Sequence, residues 1–299
     1  MKRKIVIIGA GALGKCLAAV LADQASVTVY ERDLVTSRAL TKGLFILKEK
    51  RRSQKVKVRV VASLSQLQED RIDVLIFATK IMDIRKAVAE AEGLSPRCVF
   101  FPQNGIFDIH WTDCFLKTAK ICRGVTTMAC QETGPGQVTL FYRGNIYAGG
   151  DGAGLVAGLF RQCGLGAKAF RDSGGPIWAK LIFSAVMNPL PVITGQGYDI
   201  LRKDREIWEL VRQAVEEGRA VARALGIRLA FDPMRLIYRV RNGDLVGISH
   251  KGSMFQDFSA GRSTEFDFIN GALARQARWK GIKTPALDSI LAKAKSVTA

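Results

Sequence analysis

The sequence predicts an α/β protein in which a doubly wound parallel sheet precedes an all-α domain. In the first half of the chain, short apolar runs typical of buried strands alternate with helical segments, which indicates a parallel sheet covered by helices. From about residue 175 the strand-like runs give way to long segments with 3.6-residue periodicity. The Gly- and Pro-containing stretch 171–176 is the natural boundary, so we predict domains at 1–172 and 173–299.

The predicted elements follow from local patterns of apolar residues and turn residues. A strand at 5–8, a helix at 15–22 and a strand at 26–30 form a first βαβ unit. The remaining elements are buried strands at 72–80 and 97–105, a helix at 83–92 between them, β-rich pieces at 124–129 and 137–148 around a Gly-Pro-Gly turn, and helices at 177–192, 205–225 and 267–280.

The charge balance suits an anionic partner but does not choose among partners. There are 45 Lys and Arg against 27 Asp and Glu, a net charge of +18, which fits nucleic acid, an anionic membrane surface or anionic small molecules. The densest basic run, residues 48–59, contains no aromatic residue for base stacking and alternates like an exposed strand. We therefore favour a solvated sheet edge over a nucleic-acid site. Lys, Asn or Pro interrupt the apolar stretches before the ~18 residues that a membrane helix needs, so no membrane partner is expected.

The cysteines favour a cytoplasmic protein without a metal site. Six cysteines occur with no Cys-x-x-Cys pair, which matches neither a metal cluster nor a disulfide-rich secreted scaffold. The basic residues 2–4 and the apolar run after them also resemble a secretory signal. Against that alternative, Lys15 interrupts the run, and the glycines fall where a strand-to-helix nucleotide turn needs them.

A glycine-rich turn follows the first predicted strand and opens the first predicted helix. Gly9 allows the tight turn, Gly11 lets the backbone approach a pyrophosphate, and Gly14 allows close packing of helix on strand. The free N–H groups of the helix N-terminus attract phosphate. The sequence therefore predicts a Rossmann dinucleotide site formed by Gly9, Ala10, Gly11, Ala12, Leu13 and Gly14.

The residues after the second predicted strand give conflicting signals about the coenzyme. Glu31 is suited to the ribose hydroxyls of NAD, whereas Arg32 is suited to the 2′-phosphate of NADP. Residues 48–55 add positive charge that could lie near the same ribose. We therefore favour NADP (NADPH), with NAD kept open because of Glu31.

A lysine in an apolar helix is the best candidate for acid–base chemistry. Only two histidines exist, His110 and His250, and we expect both to be surface or structural residues. Lys180 lies in the apolar segment WAKLIFSAVMNPL, where a charge needs an explanation. Lys180, Ser184 and Asn188 follow at i, i+4 and i+8, which predicts one polar stripe. The alternative is a lysine that reaches the surface along its aliphatic chain.

Further motifs occur in a fixed order along the chain. They are GAGALG at 9–14, FATK ending at Lys80, PQNG containing Asn104, TTMACQETGPGQV at 126–138, WAKLxxxxxxNPL containing Lys180 and Asn188, and SMFQDxxxGRSTEFDFINGAL from Ser253. With these motifs the sequence resembles the ketopantoate reductases (2-dehydropantoate 2-reductases) along nearly its whole length. The resemblance implies a Rossmann domain followed by an all-α domain of the 6-phosphogluconate dehydrogenase-like type.

The resemblance also implies residue roles. Lys180 would be the general acid, Glu265 would orient substrate and coenzyme, and Asn104 would lie beside the nicotinamide. Lys80 would lie near the dinucleotide and Arg32 near its 2′-phosphate. Ser184, Asn188 and Ser253 would contact the substrate. The ordinary alternatives are a turn residue for Asn104, a helix cap for Ser253 and a capping-box partner for Glu265.

The implied activity is NADPH-dependent reduction of 2-dehydropantoate to pantoate, for pantothenate and coenzyme A biosynthesis, by a cytoplasmic enzyme. Two departures put this substrate in doubt. Ser184 stands where the family usually has asparagine, and Tyr198 replaces the asparagine of its Asn-Gly-Glu-Leu motif. The alternatives are a reductase of another small-molecule 2-oxo acid, and a non-catalytic Rossmann protein that senses dinucleotide or binds nucleic acid. The sequence leaves the oligomeric state open, with a homodimer as one alternative.

Overall fold

The computed structural model describes residues 2–40, 44–49, 52–67, 71–108, 119–245 and 250–298. The chain forms two compact units. The first comprises Met1–Gln103 and Asp108–Ser173, and the second comprises Asn104–Phe107 and Gly174–Ala299. The predicted domains differ from these units by one residue at the main boundary and by the short segment Asn104–Phe107, which the sequence analysis assigned to the first domain.

An eight-stranded sheet forms the centre of the first unit. Its strands, in spatial order, are β12 (Gly166–Phe170), β11 (Asn145–Gly149), β8 (Lys120–Thr126), β7 (Cys98–Phe101), β6 (Val74–Phe77), β1 (Arg3–Ile8), β2 (Ala25–Tyr30) and β5 (Arg59–Val61). The run from β5 to β8 is parallel, β11 is antiparallel to β8, and β12 is parallel to β11. The predicted doubly wound parallel sheet is confirmed, with an antiparallel extension at one edge.

The strand order reverses direction beside β1. From β1 the chain adds β2 and β5 on one side, and β6, β7 and β8 on the other. Open α/β sheets bind ligands at such a switch point, outside the carboxyl ends of the strands. The helices of this unit are α1 (Ala12–Leu21), α2 (Leu34–Leu40), α3 (Ile84–Glu90) and α4 (Ala153–Gln162), with 3-10 turns at Leu64–Leu67 and Ile81–Asp83.

The central strands are apolar because both faces of the sheet are covered. All four residues of β6 and of β7 are buried, as expected for a parallel sheet between helices. Phe77 and Phe101, at the ends of these two strands, stack with ring centroids 5.0 Å apart. The carboxyl ends of β6 and β7 are therefore fixed firmly beside the glycine-rich turn.

A second sheet of four strands was not predicted. Its order is β4 (Arg52–Lys57), β3 (Leu44–Glu49), β10 (Gln137–Tyr142) and β9 (Ala129–Gly134). Strand β3 pairs in parallel with β10, although the two are about ninety residues apart, so local patterns could not reveal the pairing. Five of the six β4 residues are exposed, which confirms the solvated edge expected for the basic run.

The second unit is helical, as predicted. Its helices are α5 (Gly174–Met187), α6 (Pro189–Thr194), α7 (Ile200–Lys203), α8 (Arg205–Ala224), α9 (Pro233–Arg241), α10 (Gly252–Ser259), α11 (Ala272–Trp279) and α12 (Pro285–Thr298), and a π-helical turn at Asp267–Gly271 leads into α11. Helix α5 packs against α8 so closely that a Cβ on Gly218 would lie 2.9 Å from the side chain of Ile182. Asp204 caps α8 through the backbone N–H groups of Glu206 and Ile207.

The stretch Gly174–Thr194 is long and apolar enough to cross a membrane, with a mean hydropathy of 1.4. Of the 18 residues over which this hydropathy is averaged, 72% are buried inside the protein. The stretch comprises α5 and α6 of the helical unit. A core helix satisfies the same criteria of length and composition as a membrane helix. Its burial identifies this stretch as the core of the second unit.

Candidate functional site

The glycine-rich turn has the backbone geometry that a dinucleotide site requires. Gly9 has φ +102°, and a Cβ there would lie 3.1 Å from Thr79. A Cβ on Gly14 would strike the carbonyl oxygen of Gly9, whereas a Cβ on Gly11 would meet no atom within 4 Å. Gly11 begins α1 without a side-chain cap, so its turn presents backbone N–H groups to an open space. The predicted stretch from Gly9 to Gly14 therefore leaves room for a pyrophosphate.

Buried polar atoms beside this turn also fit a ligand. Thr79 Oγ1 and Gln103 Oε1 are buried and have no hydrogen-bond partner. Thr79 follows β6 and touches the Gly9 position, and the amide nitrogen of Gln103 donates to the carbonyl oxygens of Phe77 and Thr79. Because unsatisfied buried polar groups are costly, these atoms are suited to bind something the protein does not supply. The residues present fit a dinucleotide.

The acidic residue after β2 is tied to the same turn. Glu31 Oε2 accepts a hydrogen bond from the Ala10 N–H at 3.1 Å, and Oε1 accepts from the Asp33 N–H at 2.9 Å. Arg32, by contrast, donates to Glu90 at the end of α3, at 3.2 Å. Lys80 is partly buried and opens the 3-10 turn after β6. Glu31 is thus held at the turn, while Arg32 is held by a carboxylate.

Strand β4, which carries part of the basic run 48–55, lies near the opposite end of β2. Gln54, on β4, lies 3.3 Å from the carboxylate of Asp23. Asp23 precedes β2 and Glu31 follows it, so the strand, about 20 Å long at ~3.3 Å per residue, separates the two ends. For strand β4 the expectation of positive charge beside the ribose is therefore wrong, and Lys50 and Arg51 lie outside the described residues.

In the helical unit, Lys180 has the environment of a chemically active amine. Its side chain is partly buried in α5, with Nζ 4.7 Å from the ring centroid of Phe183. Burial lowers the pKa of Lys180 from 10.5 to about 8, and the negative charge of Glu265 opposes this shift. A desolvated ammonium releases its proton more readily than an exposed one. Part of the side chain stays exposed, so the role of Lys180, as against a lysine that reaches the surface along its aliphatic chain, stays a prediction.

The polar stripe predicted on α5 contains an unpartnered hydroxyl. Ser184 is 1% exposed, and its Oγ has no hydrogen-bond partner. Asn270, in the π-helical turn, donates from Nδ2 to the Ala185 carbonyl at 2.7 Å, while its own Oδ1 is unpartnered. Asn188 is partly buried at the junction of α5 and α6. The Ser184 hydroxyl and the neighbouring Asn270 amide oxygen are therefore available to form hydrogen bonds with a ligand.

The short segment Asn104–Phe107 belongs to the helical unit and lies against the π-helical turn. Gly105 has φ +90°, and its Cα is so close to the Phe268 carbonyl that a Cβ would lie 2.6 Å from that oxygen. The same carbonyl accepts from the Ile106 N–H at 3.0 Å. Phe268 follows Glu265 by three residues, and its N–H bonds the Glu265 carbonyl at 3.1 Å. Asn104 is thus brought to the segment that carries Glu265.

The structure also decides two of the ordinary alternatives. Glu265 lies before the helical residues that begin at Phe266, so it is not a capping-box partner inside that helix. Ser253 is exposed and is the second residue of α10, so it is not the cap. Asn104 does precede a glycine of positive φ, as a turn residue would. His250 is partly buried, its ring centroid lies 6.3 Å from that of Tyr198, and burial lowers its pKa. His110 lies outside the described residues.

Some polar residues of the site escaped the sequence analysis. Thr79, Gln103 and Asn270 were not singled out, although each lies inside a motif that was. The signal available for Gln103 and Asn270 was their neighbours in PQNG and FINGAL, but only the fold shows which of their atoms are unpartnered. Across the described part of the chain, no cluster of three metal-ligating side chains occurs.

Together, a doubly wound sheet with a glycine-rich turn and a helical unit with a partly buried amine are typical of a dinucleotide-dependent oxidoreductase. Sequence comparison gives the particular family. The profile described as "Ketopantoate reductase PanE/ApbA" matches residues 5–151, and that of "Ketopantoate reductase PanE/ApbA C terminal" matches residues 175–298. The chain belongs to the ketopantoate reductase family.

Relatives and solved structures agree with this assignment. The chain is 28% identical to the 2-dehydropantoate 2-reductase of Archaeoglobus fulgidus, over 94% of this chain and 92% of that protein. It is 27% identical to the enzyme of the same name from Pyrococcus abyssi, over 94% and 93%. Among solved structures it is similar to a D-mandelate dehydrogenase with NADH and anilino(oxo)acetate (TM-score 0.86, 26% identity, 99% and 98% covered). A ketopantoate reductase from Ralstonia eutropha is also similar (TM-score 0.84, 26% identity, 99% and 98% covered). These relationships support an oxidoreductase that acts on a 2-oxo acid with a nicotinamide coenzyme.

Proposed function

We propose that this protein reduces 2-dehydropantoate to pantoate, with Lys180 as the proton donor, as a step of pantothenate and coenzyme A biosynthesis in the cytoplasm. The observation that carries the proposal is the partly buried ammonium of Lys180 in the apolar helix α5, whose pKa of about 8 suits proton donation near neutral pH. The names of the relatives supply the substrate, and the family supplies the type of reaction.

The residues of the glycine-rich turn hold the coenzyme. Its pyrophosphate would lie over Gly11 and the first N–H groups of α1, with Glu31 at the ribose and Lys80, Thr79 and Gln103 as further polar contacts. When bound, the reduced nicotinamide supplies a hydride to C2 of the oxo acid. The protein's own task is to hold the substrate carbonyl and to provide a proton.

Lys180 completes the reaction on the oxygen side. As C2 accepts the hydride, the C2 oxygen gains negative charge, and Lys180 Nζ donates a proton to it. The products are a hydroxy acid and a neutral amine, which solvent then reprotonates. Glu265 opposes the loss of charge on Lys180 and so keeps a larger fraction protonated. The polar side chains of Asn104, Ser184, Asn188 and Ser253 would orient the substrate's carboxylate and hydroxyl groups.

The test is a turnover assay with the purified chain. Ketopantoate is mixed with reduced coenzyme, and the loss of coenzyme absorbance is followed. We expect turnover in the wild type and a loss of roughly 10² to 10⁴-fold in Lys180→Ala, the range for removing a general acid. Absence of turnover with any 2-oxo acid, or undiminished turnover in Lys180→Ala, would contradict the proposal.

A second candidate is the reduction of a 2-oxo acid with an aromatic group. Ser184 and Tyr198 replace residues that the ketopantoate pattern provides, and Tyr198 is buried with a strongly raised pKa caused by desolvation. Mandelate, named for the similar solved dehydrogenase, is a hydroxy acid that carries a phenyl ring. The small hydroxyl of Ser184 and the buried phenol of Tyr198 favour a less polar substrate than the two asparagine side chains of the ketopantoate pattern do.

The two substrates are separated by comparing kcat/KM for ketopantoate and for phenylglyoxylate, the 2-oxo acid that corresponds to mandelate. In Ser184→Asn we expect the ratio to shift toward ketopantoate by roughly tenfold, since a recovered buried polar contact is worth ~1 to 3 kcal/mol. A shift in the opposite direction would argue that Ser184 does not face the substrate.

The coenzyme and the partners are the remaining parts of the proposal. The sequence favoured NADPH on account of Arg32 and of the basic residues 48–55. The pairing of Arg32 with Glu90 and of Glu31 with the glycine-rich turn supports NADH instead. The basic run forms an exposed sheet edge, which gives a nucleic-acid function no specific support. A homodimer stays a prediction, tested by the mass of the protein in solution.

A further inference from the structure

The carboxylate of Glu31 is positioned at the place where a Rossmann protein reads the adenosine ribose. It stands directly after β2, and each of its oxygens accepts one backbone N–H, from Ala10 at 3.1 Å and from Asp33 at 2.9 Å. A carboxylate has about four acceptor positions, so two remain for ligand donors. Two vicinal ribose hydroxyls are donors of this kind. A 2′-phosphate offers only acceptors and negative charge at the same place.

The arginine that would bind a 2′-phosphate is paired with a carboxylate instead. Arg32 donates to Glu90 at 3.2 Å, and Tyr30 donates to the other oxygen of Glu90 at the same distance. The carboxylate of Asp83 adds to the negative surroundings of this guanidinium, which together raise the pKa of Arg32. Binding a 2′-phosphate would require Arg32 to leave Glu90 or to share its charge between two anions.

Three carboxylates act at this end of β2: Glu31 is bonded to the glycine-rich turn, Glu90 is bonded to Arg32, and the charge of Asp83 acts on the Arg32 guanidinium. A phosphate monoester adds a charge of about −1.5 to −2 near neutral pH. Each close pair of like charges repels by about 1 kcal/mol even in a water-like medium, a factor of roughly five in affinity. A coenzyme that carries a 2′-phosphate beside Glu31 therefore binds this protein with lower affinity.

We infer that this protein uses NADH, that Glu31 binds the adenosine ribose and that Glu90 holds Arg32 away from a 2′-phosphate. This inference rests on the proposed binding of a nicotinamide dinucleotide and specifies which of the two coenzymes is bound. It separates this chain from the NADPH-dependent activity that its resemblance implies.

The test is a binding titration of the purified chain with NADH and with NADPH, by calorimetry and without any 2-oxo acid. We expect the dissociation constant for NADPH to exceed that for NADH by roughly tenfold or more, because the carboxylates of Glu31 and Glu90 would both repel the 2′-phosphate. In Glu31→Gln the ratio should fall by about tenfold. In Glu90→Gln, which frees Arg32, affinity for NADPH should rise several-fold while affinity for NADH stays unchanged.

Glu92→Gln is the matched control. Glu92 is exposed just beyond the end of α3, and its removal deletes the same charge two residues from Glu90. We expect it to leave the NADPH-to-NADH ratio at the wild-type value. If Glu92→Gln changes the ratio as much as Glu90→Gln does, the effect is one of net charge and the role of Glu90 is overturned.

Salt provides a second measurement that needs no variant. If the 2′-phosphate is repelled, added NaCl screens the repulsion and the NADPH-to-NADH ratio of dissociation constants falls. If Arg32 binds the phosphate, the ratio rises with salt. Equal or tighter binding of NADPH in the wild type, or a ratio that rises with salt, overturns the inference. Preferential NADH binding without turnover would overturn only the proposed reaction.

Discussion

Lys15 in α1 and Lys180 in α5 both interrupt an apolar helix, but their charges are compensated differently. Lys15 is 1% exposed, and its ammonium binds the carboxylate of Glu132 on β9 directly. It joins the nucleotide helix to the four-stranded sheet, and its charge has a partner at contact distance. Its position next to the glycine-rich turn gives it no chemical role in the arrangement described.

Lys180 is less completely compensated. Its Nζ lies over the Phe183 ring, and Glu265 only partly opposes the effect of burial, so the pKa falls to about 8. A charge that burial penalises more than its neighbours favour releases its proton easily. The comparison indicates that two lysines in apolar helices differ in how well a partner compensates their charge, and the proposed role of Lys180 depends on that difference.

The largest expected difference between the two lysines is in activity. Lys180→Met should reduce kcat by roughly 10² to 10⁴-fold because the proton donor is lost. Lys15→Met keeps the length of the side chain and should change kcat by no more than a few-fold. Steady-state kinetics with the preferred 2-oxo acid measures both. Equal losses in the two variants would remove the distinction drawn above.

The next difference is in stability. Lys15→Ala should lower the free energy of unfolding by about 2 to 4 kcal/mol, because it leaves a cavity and an unpaired Glu132. Lys180→Met should instead stabilise by about 1 to 3 kcal/mol near neutral pH, since the folded state no longer has to hold a desolvated charge. Denaturant unfolding of both variants and of the wild type gives the values.

The pH dependence of this second effect follows from the sign of the pKa shift. The folded-state pKa of Lys180, about 8, is below its ordinary value of 10.5. Between these values the unfolded chain binds more protons, so wild-type stability rises with pH. The advantage of Lys180→Met should therefore be complete below about pH 8 and should disappear by about pH 10.5. A constant advantage across this range would exclude Lys180 titration as its cause.

A smaller effect concerns the pH profile of the reaction. Activity should fall as pH rises through about 8, where Lys180 loses its proton. Because Glu265 raises the pKa of Lys180, Glu265→Gln should move this alkaline limb of the pH profile, where activity falls, to lower pH. The profile of kcat against pH measures the shift, whereas a purely structural role for Glu265 would lower the rate without moving the limb.

The smallest effect should come from the partner of Lys15. Glu132 is 43% exposed, so water solvates much of its carboxylate. Glu132→Gln removes the counter-charge of the buried Lys15 but retains a hydrogen-bond acceptor for it, so it should cost about 1 to 2 kcal/mol, less than Lys15→Ala. A cost above that of Lys15→Ala would show that the pair is more strongly coupled than its exposure indicates.

Local features of the sequence were sufficient to predict the parallel sheet, the glycine-rich turn and the place of Lys180 in an apolar helix, while the role of Lys180 stays a prediction. Strand and helix periodicities are local, and a single lysine among apolar residues is visible without a structure. The pairing of β3 with β10 joins distant segments and was missed. The direction of Arg32 was also beyond the sequence, because it depends on Glu90, fifty-eight residues away. The pairing of Arg32 with Glu90 is one of the grounds on which we infer NADH where the sequence favoured NADPH.

The membership of Asn104–Phe107 in the helical unit makes the chain pass between its two units three times. Cutting the polypeptide once, after Ser173, would not yield two self-sufficient pieces. A fragment starting at Gly174 would leave the Phe268 carbonyl without the Ile106 N–H and the π-helical turn without its Gly105 neighbour. An exchange of the helical unit between proteins would therefore also have to supply residues 104–107, which lie in the middle of the sequence of the first unit.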